Sequence, residues 1–114
     1  MHEFSIVQSL LELIEKNVKE NNGKAVSKVV VEIGKMSGVE PHLLEVAFNT
    51  FKENTVAHNA EFVVEIQEVM CLCKSCNKQF IVENYDFLCP FCQSLDFYVI
   101  KGRDMFLKSL EIEV

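Results

Sequence analysis

Four cysteines in two closely spaced pairs constrain the fold of this chain more than any other feature. Cys73 and Cys76 form one C-x2-C pair, Cys89 and Cys92 form a second, and twelve residues separate the two pairs. Two such turns can direct four thiolates at one cation, which is the tetrahedral arrangement of structural zinc sites. The residues between the pairs can form a short hairpin that brings the second turn opposite the first. The spacing therefore predicts a zinc ribbon whose metal is enclosed by four protein ligands.

The cysteine pattern leaves other interpretations open. Iron in a rubredoxin-like site also accepts four sulfur ligands, and a C-x-x-C pair is typical of thiol redox proteins when it lies near a βαβ pattern, which this sequence lacks. Disulfides are disfavoured, because all five cysteines are clustered between Cys71 and Cys92, whereas disulfides tie distant parts of a small secreted fold together. The fifth cysteine, Cys71, is expected to be a half-buried thiol. The alternative is that Cys71 replaces Cys73 as a ligand.

The rest of the chain shows the periodicities of helices and strands. Apolar residues recur every three or four positions over residues 4–20, and again in a segment that starts at Pro41 and ends near Asn54, so both segments are predicted helices. Alternating or β-branched apolar residues predict three strands, at Val26–Met36, Ala60–Met70 and Met105–Val114.

The order of these elements indicates where the cysteine-rich segment belongs. The last strand resumes the alternating pattern of the earlier ones, so the segment between reads as an insert. We expect an α+β fold in which two helices cover a three-stranded sheet. Residues 1–70 and 102–114 would form this α+β domain, and residues 71–101 would form the inserted four-cysteine zinc ribbon.

Charge and composition exclude several classes of function. Asp and Glu number 17 against 11 Lys and Arg, and no segment has the basic surplus that phosphate-backbone binding requires, so we expect no nucleic-acid partner. No apolar run is long enough to span a membrane, and the first residues do not resemble a secretory signal, so we expect a cytoplasmic protein without membrane insertion. No phosphate loop, nucleophile elbow or Ser/His/Asp arrangement is recognisable, so we expect that the chain is not an enzyme.

The amino terminus, Met1-His2-Glu3, is a second candidate metal site. A histidine at position 2 places an α-amine, the His2 backbone nitrogen and the imidazole within one small chelate, provided that the amine of Met1 is free. Nitrogen donors in one plane suit Ni(II) or Cu(II) better than zinc. Taken without context, a histidine at this position is more often simply solvated, and Glu3 reads as a favourable negative charge near a helix start.

Several motifs together resemble one known family. The opening Met1-His2-Glu3-Phe4-Ser5, the strand Val29-Val30-Val31-Glu32-Ile33-Gly34, the paired C-x2-C motifs and the closing Lys108-Ser109-Leu110-Glu111-Ile112 are similar to HypA, the nickel-incorporation accessory protein of [NiFe]-hydrogenase maturation. The resemblance extends over essentially the whole chain. It implies a nickel-binding domain that carries a zinc-ribbon insert.

The resemblance also implies roles for individual residues and partners. His2 matches the family's nickel ligand, Glu3 matches a residue that supports the nickel site, and Glu40 occupies a place where the family can carry an acidic residue near that site. The four cysteines of the C-x2-C pairs match the zinc ligands, so Zn2+ would be structural and Ni2+ would be the transported cargo. The implied partners are the GTPase HypB and the hydrogenase large-subunit precursor, with urease maturation proteins as further candidates and a monomer or weak homodimer as the state of the chain. The competing interpretation is a rubredoxin-like or zinc-ribbon interaction module without nickel transfer.

Overall fold

The computed structural model describes residues 2–114, with side chains from residue 3 onward. Neither helix within this range is long and apolar enough to cross a membrane. The described elements follow one another as α1 (His2–Glu20), β1 (Ala25–Gly34), α2 (Pro41–Phe51), β2 (Glu61–Gln67), β3 (Val69–Cys73), β4 (Gln79–Val82), β5 (Phe97–Lys101) and β6 (Met105–Glu113).

The chain divides into two compact units. The first unit consists of Met1–Glu32, Val39–Glu65 and Phe106–Val114, and the second consists of Ile33–Gly38 and Ile66–Met105. All five cysteines therefore belong to the second unit. The predicted domain boundaries, with residues 71–101 as an insert, stay a prediction.

The first sheet has the strand order β2-β1-β6. Both helices bury apolar residues at the positions that their spacing predicts. The predicted apolar face of α1 is buried at Val7, Ile14 and Val18, none of which is more than 2% exposed. On α2, Phe48 is fully buried and stacks on Phe62 of β2 with ring centroids 4.4 Å apart. Two helices, this three-stranded sheet and a clustered set of four cysteines confirm the predicted α+β class.

Helix α2 begins and ends for identifiable local reasons. Pro41 lies in the first helical turn, as its fixed φ angle favours. Glu40 is the N-cap residue, and its carboxylate accepts a hydrogen bond of 2.6 Å from the Leu43 amide. At the other end the Lys52 amide donates to the Phe48 carbonyl oxygen, and Asn54 then adopts a left-handed φ of 63°. The helix therefore stops slightly earlier than the sequence predicts.

The second sheet has the order β4-β3-β5, with β3 paired antiparallel to both neighbours. Burial alternates along β3, so Val69, Cys71 and Cys73 share one buried face. Phe80 and Val82 of β4 lie in the same core cluster. This small core holds two of the cysteines of the C-x2-C motifs, Cys73 and Cys89, together with Cys71.

The prediction of one continuous strand over Ala60–Met70 is wrong, because the chain leaves the first sheet at Gln67 and enters the second at Val69. At this point the Lys35 amide donates to the Gln67 carbonyl oxygen at 3.0 Å, and the Lys35 ammonium group binds the Glu68 carboxylate at 2.7 Å. These contacts satisfy the backbone and the charge where the strand is interrupted.

Two glycines fix the path of the chain beside this interruption. The Gly34 amide donates to the Asp104 carbonyl oxygen at 2.9 Å, and the Met36 amide donates to the Gly102 carbonyl oxygen at 2.8 Å. A Cβ atom on Gly34 would lie 2.2 Å from that Gly102 oxygen, and Gly102 itself has a φ of +99°. Only residues without a Cβ allow the two backbones to approach so closely.

Candidate metal centre

The first C-x2-C pair forms a tight turn at the end of β3. The Asn77 amide donates to the Cys73 carbonyl oxygen at 2.9 Å, and the Cys73 amide donates to the Lys78 carbonyl oxygen at 3.0 Å. Asn77, the residue after Cys76, adopts a left-handed φ of 62°. The turn thereby folds back on itself and keeps both cysteines on its inner side.

The second C-x2-C pair repeats this backbone pattern at the same offsets. The Gln93 amide donates to the Cys89 carbonyl oxygen at 2.9 Å, and the Cys89 amide donates to the Ser94 carbonyl oxygen at 3.0 Å. Gln93 follows Cys92 and has a left-handed φ of 67°. Two turns of one design therefore present the four cysteines.

The four sulfur atoms gather as the spacing predicts. The Sγ atoms of Cys73, Cys76, Cys89 and Cys92 all lie within 4.8 Å of one another. The closest pairs across the two turns are Cys73 with Cys92, at 3.5 Å, and Cys76 with Cys89, at 3.8 Å. A tetrahedral site with metal–sulfur bonds of about 2.3 Å separates its sulfurs by about 3.8 Å, whereas a disulfide needs about 2.05 Å. The cluster therefore fits a tetrahedral metal ion and is not a pair of disulfides.

Cys71 lies outside this set although it is close in sequence. It is fully buried on the central strand, opposite Phe80 of β4 and Val99 of β5. Burial raises the pKa of the Cys71 thiol, which keeps it in its neutral form. These surroundings are those of an apolar core residue.

Hydrogen bonds and burial shift the pKa values of the clustered thiols in opposite directions. The Cys76 amide donates to the Cys73 sulfur and is the main reason why the pKa of Cys73 is lowered to about 6. The Ser94 amide lowers the pKa of Cys92, but hydrogen bonds with the other three cysteines, together with burial, outweigh it and raise that pKa to about 12. The backbone of the first turn thus favours, at Cys73, the thiolate form that metal ligation requires.

Contacts outside the sulfurs hold the two turns against each other. The hydroxyl groups of Ser75 and Ser94 are 2.9 Å apart, and the Lys74 ammonium group lies 3.9 Å from the Asp96 carboxylate. Cys73 and Cys89 are fully buried, while Cys92 is exposed. Over residues 3–114, no other group of three or more His, Cys, Asp or Glu side chains is gathered closely enough to hold an ion.

The second predicted site falls partly outside the described residues. The α-amine of Met1 and the imidazole of His2 lie outside them, so the predicted nickel chelate stays a prediction. Glu3 is half-buried in the first turn of α1, where it borders an apolar hollow that includes Phe4. The Glu40 carboxylate is exposed and caps α2, a role that the sequence did not indicate because glutamate is not a preferred N-cap residue.

The remaining histidines are surface residues. His42 is exposed in the first turn of α2. His58 is exposed as well, and its Nδ1 atom lies 3.1 Å from the Thr55 carbonyl oxygen. Neither residue joins the cysteine cluster.

Comparison with known proteins connects this architecture to one family over nearly its whole length. The family model described as "Hydrogenase/urease nickel incorporation, metallochaperone, hypA" matches residues 1–112. A hydrogenase maturation factor HypA from Aquifex aeolicus is 61% identical over 114 residues, which cover 100% of this chain and 99% of the relative. The corresponding protein of Wolinella succinogenes is 45% identical, with 99% of this chain and 96% of the relative covered.

Solved structures show the same likeness. The solution structure of the Ni metallochaperone HypA from Helicobacter pylori superposes with a TM-score of 0.73 at 34% identity, covering 97% of each chain. A second solution structure of a HypA protein gives a TM-score of 0.78 at 35% identity, covering 98% of this chain and 96% of the other. The sequence comparison and the structural comparison thus point to the same family.

Proposed function

The chain belongs to the HypA family of hydrogenase and urease nickel-incorporation proteins, and from this membership we propose that it binds Ni(II) at its N-terminus, keeps structural zinc in the four-cysteine cluster, and delivers the nickel for [NiFe]-hydrogenase maturation. The observation that carries the proposal is the family match over residues 1–112, which includes the opening Met1-His2-Glu3.

Membership confirms two predictions made from the sequence. The resemblance of the opening, strand, cysteine and closing motifs to HypA holds across the chain. The prediction that the chain is not an enzyme also holds, because the family consists of metallochaperones and maturation factors. The chemistry to be explained is therefore selective binding and release of an ion.

Zinc is the metal that we assign to Cys73, Cys76, Cys89 and Cys92. Sulfur separations of 3.5 and 3.8 Å suit a tetrahedral tetrathiolate site, and four protein ligands leave no open position for substrate. When bound, zinc supplies cross-links between the two cysteine turns. The small apolar core of the second unit, with only a few buried residues, supports the view that the fold of this unit depends on that cross-link.

Nickel is the cargo, and we place it at the amino terminus. The Met1 amine, the His2 amide nitrogen and the imidazole would provide planar nitrogen donors, with Glu3 as a supporting carboxylate and Glu40 as a weaker candidate. Such a site can release its ion when one nitrogen takes up a proton. The site requires Met1 to carry a free amine, which is a condition that the experiment below tests directly.

Delivery requires partners, since no phosphate loop is recognisable in the sequence and the energy for delivery would have to come from another protein. We propose the GTPase HypB and the hydrogenase large-subunit precursor as these partners, urease maturation proteins as further recipients, and a monomer or weak homodimer as the working state. None of the five cysteines forms a disulfide bond, which suits a reducing compartment and supports the cytoplasm as the place of action.

The nickel proposal is tested by changing the terminal donors one at a time. We expect His2→Ala, or a short extension that blocks the Met1 amine, to abolish specific nickel binding, because either change opens the chelate. Glu3→Ala should weaken binding less. His42→Ala is the matched control, since it removes an exposed histidine and should leave nickel affinity unchanged. Calorimetric titration of the zinc-loaded protein measures the nickel affinity of all four altered chains. The nickel affinity of the unaltered chain should fall as the pH drops below the imidazole pKa of about 6.5, because a protonated nitrogen cannot bind the ion.

Nickel binding by the extended or His2→Ala chain with the affinity of the unaltered chain would refute the terminal site. In cells, His2→Ala should leave [NiFe]-hydrogenase immature, with partial rescue by added nickel. Mature hydrogenase in cells that carry only His2→Ala would contradict the delivery role.

The zinc proposal has its own test. Cys73→Ser and Cys89→Ser should each lose zinc and unfold much of the second unit, while the first unit keeps its helices. Elemental analysis and circular dichroism measure both effects. One zinc per chain in both variants would contradict the ligand assignment. A coloured preparation with stoichiometric iron would favour the rubredoxin-like alternative.

A further inference from the structure

The second sheet presents an apolar face away from its cysteine core. Met70 and Leu72 alternate with the buried Cys71 on β3, so their side chains lie on the opposite side of the sheet. Ile81 of β4 pairs with Met70, and Tyr98 of β5 pairs with Leu72. Cross-strand partners share a face. We call this surface the ribbon face, and its members are Met70, Leu72, Ile81, Tyr98 and Ile100.

The ribbon face is open to solvent. Ile81 is 51% exposed, Tyr98 is 49% exposed and Ile100 is 41% exposed, whereas Phe80 and Val82 on the other face of β4 are each 5% exposed. Ile100 is two residues from Tyr98 on β5, so alternation places it on the same side of the strand, next to the shift in register against β3. Single exposed apolar residues are common, but a contiguous group that is fixed by the register of three strands is typical of an interaction surface.

One lysine gives this apolar surface a positive charge that no described carboxylate offsets, while a second lysine beside it is paired. Lys101 pairs in register with Met70, and among residues 3–114 it makes no ion pair. The Lys74 ammonium group lies 5.6 Å from the centroid of the Tyr98 ring and 3.9 Å from the Asp96 carboxylate. Apolar side chains flanked by a free ammonium group suit a partner that carries apolar side chains and carboxylates.

Acidic residues outnumber basic residues in the first unit and not in the second, so the two units favour partners of different charge. The first unit contains 12 acidic and 6 basic residues, and the second contains five of each. The net charge of −6 thus belongs entirely to the first unit. Two copies docked ribbon face to ribbon face would gain no charge complementarity, because the unpaired charge described on each face is Lys101.

We propose that the ribbon face docks an acidic, apolar segment of the protein that receives the nickel. The proposal rests on the proposed function, in which the recipient is the hydrogenase large-subunit precursor. Ile81, Tyr98 and Ile100 supply the apolar contact, and Lys101 supplies the charge that orients the segment.

The test measures association of the zinc-loaded full chain with the purified large-subunit precursor. Ile81→Lys should weaken association at least about tenfold, which is typical for a residue at the centre of an interface. Ile66→Lys is the matched control, because Ile66 is the same residue type and is 49% exposed, and it should change the affinity less than about twofold. Lys101→Glu should weaken association at low salt, with the difference shrinking as salt is raised.

Zinc content and nickel affinity are measured on the same samples, so that folding and cargo binding are followed separately from docking. Unchanged association in Ile81→Lys, tighter association in Lys101→Glu, or no association of the unaltered chain would overturn the docking proposal. Self-association of the unaltered chain that Ile81→Lys removes would also overturn it, in favour of a second copy. Normal docking by a chain that binds no nickel would instead overturn the proposed function.

Discussion

Cys71 offers the sharpest test of how the second unit is built. It is fully buried beside the metal cluster, and it is two residues from Cys73. We expect Cys71→Val, Cys71→Ala and Cys71→Ser to keep one zinc per chain, because the four gathered sulfurs do not include Cys71. The three variants should differ in stability alone.

The size of each effect follows from the surroundings of Cys71. Valine keeps the site apolar and favours a strand, which partly offsets the cost of its one extra heavy atom, so the free energy of unfolding should change by less than about 1.5 kcal/mol. Alanine removes one heavy atom and leaves a small void, which should cost about 1–2 kcal/mol. Serine places a hydroxyl group among Phe80, Val82 and Val99, which should cost about 1–3 kcal/mol because burial of a polar group is unfavourable.

The assay measures the stability of the second unit and the zinc content of the same samples. Both tyrosines, Tyr85 and Tyr98, lie in the second unit, so tyrosine fluorescence follows the unfolding of that unit in urea. Elemental analysis of the same samples gives the zinc content. Loss of zinc from Cys71→Val or Cys71→Ala would show that Cys71 is a ligand, and the assignment of Cys73 would then be wrong. Equal stability of the valine and serine variants would refute the argument from apolar burial.

Two further predictions concern backbone contacts. Gly34→Ala should lower the free energy of unfolding by about 2–3 kcal/mol or more, because its Cβ would lie 2.2 Å from a carbonyl oxygen that cannot move aside, and urea unfolding that is unchanged would contradict this. Glu40→Gln should keep the α2 cap and its stability while lowering nickel affinity, whereas Glu40→Ala should lower both, with about 0.5–2 kcal/mol lost from the cap. Nickel affinity that is unchanged in Glu40→Gln would remove Glu40 from the nickel site.

The cysteine cluster could be predicted from sequence because its information is local. A C-x2-C spacing determines that two sulfurs turn toward one point, and the gathered Cys73, Cys76, Cys89 and Cys92 follow that rule. The buried apolar face of α1 could be predicted equally well, since Val7, Ile14 and Val18 recur with the helical period.

The interruption of the strand at Glu68 could not be predicted in the same way, because its cause is not local. Lys35, more than thirty residues earlier in the chain, bonds to the Gln67 carbonyl oxygen and to the Glu68 carboxylate. One signal was present in the sequence. The apolar positions shift from even numbers, as at Phe62, to odd numbers, as at Val69 and Cys71, which indicates a change of face and of sheet.

The capping role of Glu40 and the left-handed Gln93 escaped sequence analysis for a related reason. Glutamate and glutamine are not the residues that favour an N-cap or a left-handed φ, so no propensity pointed to these positions. At Gln93 the offset pattern of backbone hydrogen bonds around Cys89 requires the left-handed conformation that Asn77 adopts in the first turn. The matching position in the other turn was the available signal.

The two cysteine turns also explain why the proposed zinc site and the proposed N-terminal nickel site use different donors. Each turn is closed by two backbone hydrogen bonds of 2.9 and 3.0 Å, and the Ser75 and Ser94 hydroxyl groups join the turns at 2.9 Å. Four sulfurs attached to such a frame would have to be displaced one after another before an ion could leave, so an ion in this cluster would be retained. A terminal chelate loses its ion when one nitrogen is protonated or captured by a recipient. Retention by the cysteine turns and release from the N-terminus are therefore compatible within one chain, provided that each metal occupies the donors suited to it.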